Sequence, residues 1–173
     1  MKNTIKEWIK TIIIAIIIAT LISIIIQPVL VDGNSMFPTL KDNDYLLVNK
    51  LLYKLDEPER EDIIVAKSKL LDKNNKNKKI VKRIVGLPND HIIIKDGYVY
   101  VNSKKIEEEY LEDFYTIGNI DIVVPNDEIF VLGDNRFDSL DSRYSSVGTI
   151  KISDIVGKVF IRIFPFNKVC IFD

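Results

Sequence analysis

The chain has 173 residues, enough for one domain with a real core plus a short extra segment. Its 24 basic and 25 acidic side chains leave a formal net charge of -1, without the basic excess that phosphate recognition needs, so no nucleic-acid partner is expected. One cysteine, Cys170, excludes an intramolecular disulfide, and one histidine, His91, excludes a multi-histidine metal site; with no glycine-rich phosphate loop or dinucleotide fingerprint, neither metal nor cofactor is implied.

Residues 11–26, TIIIAIIIATLISIII, run without a charge. Sixteen residues fall short of the roughly 20 that span a bilayer. Ile5, Trp8 and Ile9 before the run and Pro28 to Val31 after it lengthen the predicted span to residues 8–30, with Trp8 at the interface and Lys10 reaching for water. A cleaved leader would end at a small-residue site, but the run leads into Gln27, Pro28, Val29 and Leu30. An isoleucine helix apolar on every side would need a larger protein to enclose it as core. A signal anchor in contact with the lipid bilayer is therefore expected over residues 1–31. Lys2, Lys6 and Lys10 against Glu7 place the N-terminus in the cytoplasm and residues 32–173 outside, as a single-pass protein of the cell membrane.

After Asp32 the pattern changes to short runs rich in Ile, Val, Tyr and Phe between turn residues, and the fold class is read as mainly β. Strands are predicted over residues 45–51, 62–66, 79–85, 91–95, 98–102, 120–124, 128–132 and 155–164. Asp96-Gly97 between HIIIK and YVYVN is a hairpin signal. The set suggests a compact sandwich or barrel. Residues 72–79, DKNNKNKK, lack an apolar anchor and read as an exposed loop rather than a binding patch. The C-terminal VFIRIFPFNKVCIFD carries Arg162 and Lys168 and reads as a final strand, not a second span.

Three stretches carry candidate chemistry. In VDGNSMFPTL, Gly33 permits unusual backbone angles and Pro38 stiffens the chain beyond the serine, so Ser35 can be exposed on a turn whose N–H groups converge on an oxyanion. Most serines in such turns only cap or bend the chain. A nucleophilic serine also needs a base. His91, at the start of a strand, reads as a partly exposed strand histidine. In KIVKRIVGLPND, strand alternation puts Ile80, Lys82 and Ile84 on one face and Val81, Arg83 and Val85 on the other. Apolar neighbours disfavour the ammonium form, lower the Lys82 pKa and allow the neutral amine to take a proton. An edge-strand lysine reaching water fits the same pattern. The third stretch, VLGDNRFDSLDSRYS, lacks the spacing and central glycine of a calcium loop. It reads as a hydrogen-bonded loop that buttresses a strand or fixes the base.

Together NSMFPTL, DYLLVNKL, KRIVGLPND and GDNRFDSLDSR, in this order behind an N-terminal anchor, resemble the bacterial type I signal peptidases, from the anchor to about Gly157. The resemblance implies a membrane-anchored β-fold with a catalytic core and a small inserted β region, here within about residues 96–125. It implies Ser35 as nucleophile, Lys82 as general base and Ser139 as the hydroxyl that positions that lysine. Asp141 and Arg143 brace the site, Asp134 and Arg136 belong to the same loop, and Val31, Met36 and Val81 help to line the substrate pockets. Some relatives carry a serine two positions before the nucleophile; Gly33 stands there, so the oxyanion hole would rest on backbone N–H groups, chiefly that of Ser35, with Gly33 keeping the approach open. Asn89 replaces the usual glycine of GLPGD and tolerates left-handed angles. Lysine rather than histidine as base marks the bacterial type.

The implied function is an endopeptidase that removes signal peptides from exported preproteins, binding them as an added strand and cutting after small residues at A-x-A-like sites. Exposed apolar residues near the site, such as Phe37, are expected to dip into the membrane surface. A membrane-tethered β-domain that binds peptides without cutting them accounts for anchor and strands but not for Ser35, Lys82 and Ser139 together. A self-cleaving Ser–Lys repressor is opposed by the anchor and by the lack of a DNA-binding segment.

Overall fold

The structure, a computed structural model, describes residues 2–172. Met1 and Asp173, the outer limits of the two expected segments, lie outside the described residues, as do the side chains of Lys2, Asn3 and Thr4.

Helix α1, Lys2–Ile25, contains a stretch Ile5–Ile25 of mean hydropathy 2.5, none of it buried by the rest of the chain. Twenty-one residues rise about 31 Å, the thickness of a hydrocarbon core. A helix with isoleucines exposed on all sides has no apolar partner burying it among the described residues. The helix is shorter than its predicted end at Leu30. Ile26–Leu30 forms strand β1 instead, pairing antiparallel with β2, Tyr45–Asn49, from Ile26 opposite Asn49 to Leu30 opposite Tyr45. The junction between helix and sheet thus falls at residues 25/26, not 31/32. Lys50 sets it: its N–H donates to the Ile25 carbonyl and its ammonium to the Ser23 carbonyl at 2.6 Å, satisfying two of the carbonyls that a helix end leaves free. Pro28 is tolerated because β1 is an edge strand.

After the short helix α2, Leu52–Leu55, come β3 (Ile63–Leu71), β4 (Asn77–Gly86), β5 (His91–Lys95), β6 (Tyr98–Val101), β7 (Lys104–Lys105), β8 (Ile120–Val123), β9 (Glu128–Leu132), β10 (Ile150–Lys151), β11 (Ile155–Phe164) and β12 (Cys170–Ile171). The large sheet has the order β1-β2-β11-β3-β4-β9-β10, with β12 on β11; the small sheet is β7-β6-β5-β8. All eight predicted strands are present. Residues 72–79 are only partly the expected loop: 72–76 turn, while Asn77 to Lys79 join β4 in register with β3. The small sheet also starts at His91, earlier than the inserted region expected from residue 96, because β5 pairs with β6 across the Asp96-Gly97 turn. Both turn residues have positive φ, 52° and 83°, as a tight hairpin of this hand requires.

Alternation along β4 divides its side chains among the cores. Ile80 and Ile84 pack with Ile64, Val131 and Ile150; Val81 packs against Val31, Met36 and Val65; Val85 packs with Ile92, Phe130 and Leu132. One strand therefore joins all three cores, and Lys82 sits in the middle of it.

Candidate active site

Ser35 is held in a turn fixed on both flanks. Val31 N–H donates to the Asp44 carbonyl, Asn43 N–H to the Val31 carbonyl and Phe37 N–H to the Asn34 carbonyl. Gly33 N–H donates to Asp42 Oδ1 at 2.8 Å. Gly33 has φ +89° and a Cβ there would meet nothing, so the backbone angle rather than crowding selects glycine. Met36, 1% exposed, anchors the turn in the core. From the far side, Asn135 N–H donates to the Ser35 carbonyl at 3.1 Å and Asn135 Nδ2 to the Asn34 carbonyl. Among the described residues nothing accepts from the Ser35 N–H.

Lys82 lies opposite Ile64 in the ladder and is 4% exposed. Its Nζ donates to Ser35 Oγ at 2.6 Å and to its neighbour's carbonyl, Val81 O, at 3.0 Å. Burial pushes its pKa down from 10.5 to about 8; Asp141 and Asp134 pull it up in part, and Lys78 and Arg143 push the same way as burial. The edge-strand reading, an amine in water, does not hold.

Ser139 does not take the place expected of it. Its Oγ is buried without a hydrogen-bond partner among the described residues and makes no bond to Lys82. It is pressed against Gly133, where a Cβ would run into both Ser139 Oγ and the Ser35 carbonyl oxygen. Lys82 Nζ uses Ser35 and the Val81 carbonyl instead.

Asp141, fully buried, accepts from Gly133 N–H at 3.0 Å and from Arg143 Nε and Nη2 at 2.8 and 2.9 Å. Arg143 also donates to the carbonyls of Ile117, Arg136 and Ser139, so this pair ties the loop after β9 to itself and to residue 117. Arg83, next to Lys82, forms a two-pronged bond to Asp134 at 2.9 and 2.7 Å, with its guanidinium 3.9 Å from the centre of the Tyr110 ring. Arg136 binds Glu108, which also accepts from Tyr110. Glu108, Tyr110 and Thr116 escape a reading of the sequence; no local pattern marks acceptors 20 or more residues from their arginine.

A cleft of about 420 Å³ opens beside the pair. One wall is β1 and the residues after it, the other is β4 from Lys78 to Lys82, and Val31, Met36 and Val81 line it together with Ile80 and Leu140. His91 is elsewhere, on the small sheet, its Nε2 2.6 Å from Asp121 Oδ1 with both side chains exposed. Changing His91 to alanine is expected to alter cleavage less than about threefold in a peptide assay, since an exposed pair contributes little. Among the described residues no group of three or more His, Cys, Asp or Glu side chains is placed to hold a metal ion.

The family model described as signal peptidase, peptidase S26, matches residues 5–164. The chain belongs to this signal peptidase family. It is 41% identical over 153 residues to a signal peptidase I of Bacillus caldolyticus, covering 80% of each chain. It is 38% identical over 179 residues to that of Bacillus licheniformis, covering 97% of this chain and 93% of the relative. A crystal structure of a signal peptidase I from Enterococcus faecalis matches with a TM-score of 0.50 at 30% identity, covering 60% of this chain and 97% of that one. As a signal peptidase family member the chain is a membrane-associated serine endopeptidase of the kind that removes signal peptides, and a non-catalytic peptide-binding domain is not favoured.

Proposed function

We propose that Ser35 is the nucleophile and Lys82 the general base with which this chain removes signal peptides from exported preproteins, cutting after small residues. The observation that carries the assignment is the 2.6 Å contact between Ser35 Oγ and a Lys82 amine that is 4% exposed. A substrate segment adds as an extended strand between β1 and β4, its alternate side chains entering the shallow apolar pockets at Val31, Met36 and Val81. Neutral Lys82 Nζ takes the Ser35 proton as Oγ bonds to the scissile carbonyl carbon. The oxyanion accepts from the free Ser35 N–H. The proton passes to the leaving amine as the C–N bond breaks. Water, deprotonated by the same Nζ, then attacks the ester; the C–Oγ bond breaks, Oγ takes the proton back from Nζ, and the signal peptide leaves with its new carboxylate. Helix α1 crosses the cell membrane once, N-terminus inside, and holds the cleft at the outer face. Nucleic acid and metal have no part in it.

The test is incubation of the purified full chain in lipid or detergent with a preprotein, with mass mapping of the cut and a pH series. Because the amine must be neutral, kcat/KM is expected to rise about tenfold per pH unit and level off above the Lys82 pKa of about 8. A flat profile from pH 6 to 9 would refute Lys82 as base. The lowered pKa also means that the unfolded chain binds more protons between about pH 8 and 10.5, so stability gains from this group as pH rises through that window.

A further inference from the structure

We propose that the β3–β4 hairpin is a basic foot that docks on anionic lipid headgroups and so holds the mouth of the cleft against the bilayer. Residues 67–79 carry six lysines, at 67, 69, 73, 76, 78 and 79, against one acid, Asp72, and all six are exposed. Asp72 is engaged in folding the turn: its Oδ1 accepts from the N–H groups of Asn74 and Lys76. Lys67 stands directly opposite Lys79 in the ladder, a like-charge pair, while Glu128 and Asp154 line one hollow with Lys67 and Lys69, so the tip lysines 73 and 76 are the ones most open to an outside anion. Of the six, Lys78 alone forms an ion pair among the described residues, with Asp32. Leu71, 59% exposed at the neck of the turn, offers an apolar side chain for the headgroup boundary.

The position of the tip is set by the two walls of the cleft. Ser35 meets Lys82, and Asp32 meets Lys78 at 3.8 Å, so β1 and β4 run in the same direction across the cleft. From Lys82 back to Lys78 is about 13 Å of strand. Gln27 and Pro28, just after α1, border the same cleft as Leu70. Beyond Lys78, the 72–76 turn therefore lies toward the α1 end of the cleft, on the side of Gln27 and Pro28. A lysine-rich turn at the height of the lipid headgroups is attracted to them, more strongly the more anionic the surface, and the attraction fades within a Debye length. The sequence alone reads this stretch as a solvated loop because its height relative to α1 is set by tertiary contacts.

The proposal rests on α1 as a membrane span but not on the assignment of base and nucleophile, so the test uses the inactive Ser35→Ala chain. Cys170, exposed and the sole cysteine, is replaced by serine, and Asn74→Cys carries a fluorescent label. The full chain is placed in vesicles of phosphatidylcholine alone or with about 30% phosphatidylglycerol, each bearing a headgroup quencher. Quenching at least about threefold greater with the anionic lipid, lost at about 1 M salt and lost in Lys67→Gln/Lys69→Gln/Lys73→Gln/Lys76→Gln, is the expected result. Equal quenching in both vesicles, or an unaltered response in the glutamine variant, would overturn the docking. A chain that does not float with salt-washed vesicles overturns the span, and the proposal with it.

Discussion

Exchange of Lys82 for alanine or methionine is expected to lower kcat/KM by at least about 10³-fold, and with methionine the Tm stays level or rises. Two physical terms lead to this outcome. The amine is the sole basic group within hydrogen-bond reach of Ser35 Oγ among the described residues, so its loss leaves the hydroxyl with water as base. The same side chain is 4% exposed, and burial disfavours its charge; an apolar side chain of similar length removes that cost. Arginine is not expected to rescue activity, because a guanidinium stays protonated at any working pH. Ser35→Ala is expected to match Lys82→Ala in magnitude, and the double variant to be no worse than either, since two groups acting in one proton transfer are lost together. Each rate is measured at about pH 8.5 on a preprotein with mass-mapped products, beside a melting curve. Retention of more than about a tenth of the activity in Lys82→Ala would assign the base elsewhere.

The parts of the molecule that are legible in the sequence are those governed by short-range rules. Period-two alternation in KIVKRIV places Lys82 between Ile80 and Ile84, and the structure sends those isoleucines to a shared core. Asp96-Gly97 specifies a hairpin because few residue pairs accept positive φ at two successive positions. Asn89 in place of glycine keeps the turn before β5 because it too adopts a left-handed angle, φ 66°. Expectation fails where hydropathy is uninformative or partners are remote. IQPVL continues the apolar run without a polar residue other than Gln27, so nothing local separates the end of the membrane helix from an edge strand; the pairing with residues 45–49 decides it. Likeness of motif gives Ser139 a bond to Lys82, yet its Oγ is packed against Gly133 and has no hydrogen-bond partner among the described residues. Arg83 and Asp134 are 51 residues apart, and no spacing rule links them.

Replacing Arg136 by methionine is expected to cost about 3–5 kcal/mol of stability, a loss typical of a buried ion pair broken from one side. Arg136 is 2% exposed and Glu108 7%. The guanidinium donates to Glu108 Oε1 at 2.5 Å and Oε2 at 3.1 Å, to Thr116 Oγ1, and through Nε to the Gly133 carbonyl. Without it the Glu108 carboxylate stays buried with Tyr110 as its remaining side-chain donor. The damage spreads because Gly133 lies under Ser35 and Ser139, and because Tyr110 covers the face of Arg83 beside the base. For a domain of this size the loss corresponds to a fall of roughly 10 °C or more in Tm. Glu108→Gln alone is expected to strand the arginine in the same way, whereas Glu108→Gln with Arg136→Met recovers a large part of the stability, since no uncompensated charge then remains inside. The cycle separates the pair from its surroundings: strict additivity of the two single losses would show that the residues do not act as a pair, and that the segment between β7 and β8 is held to the catalytic loop by other contacts.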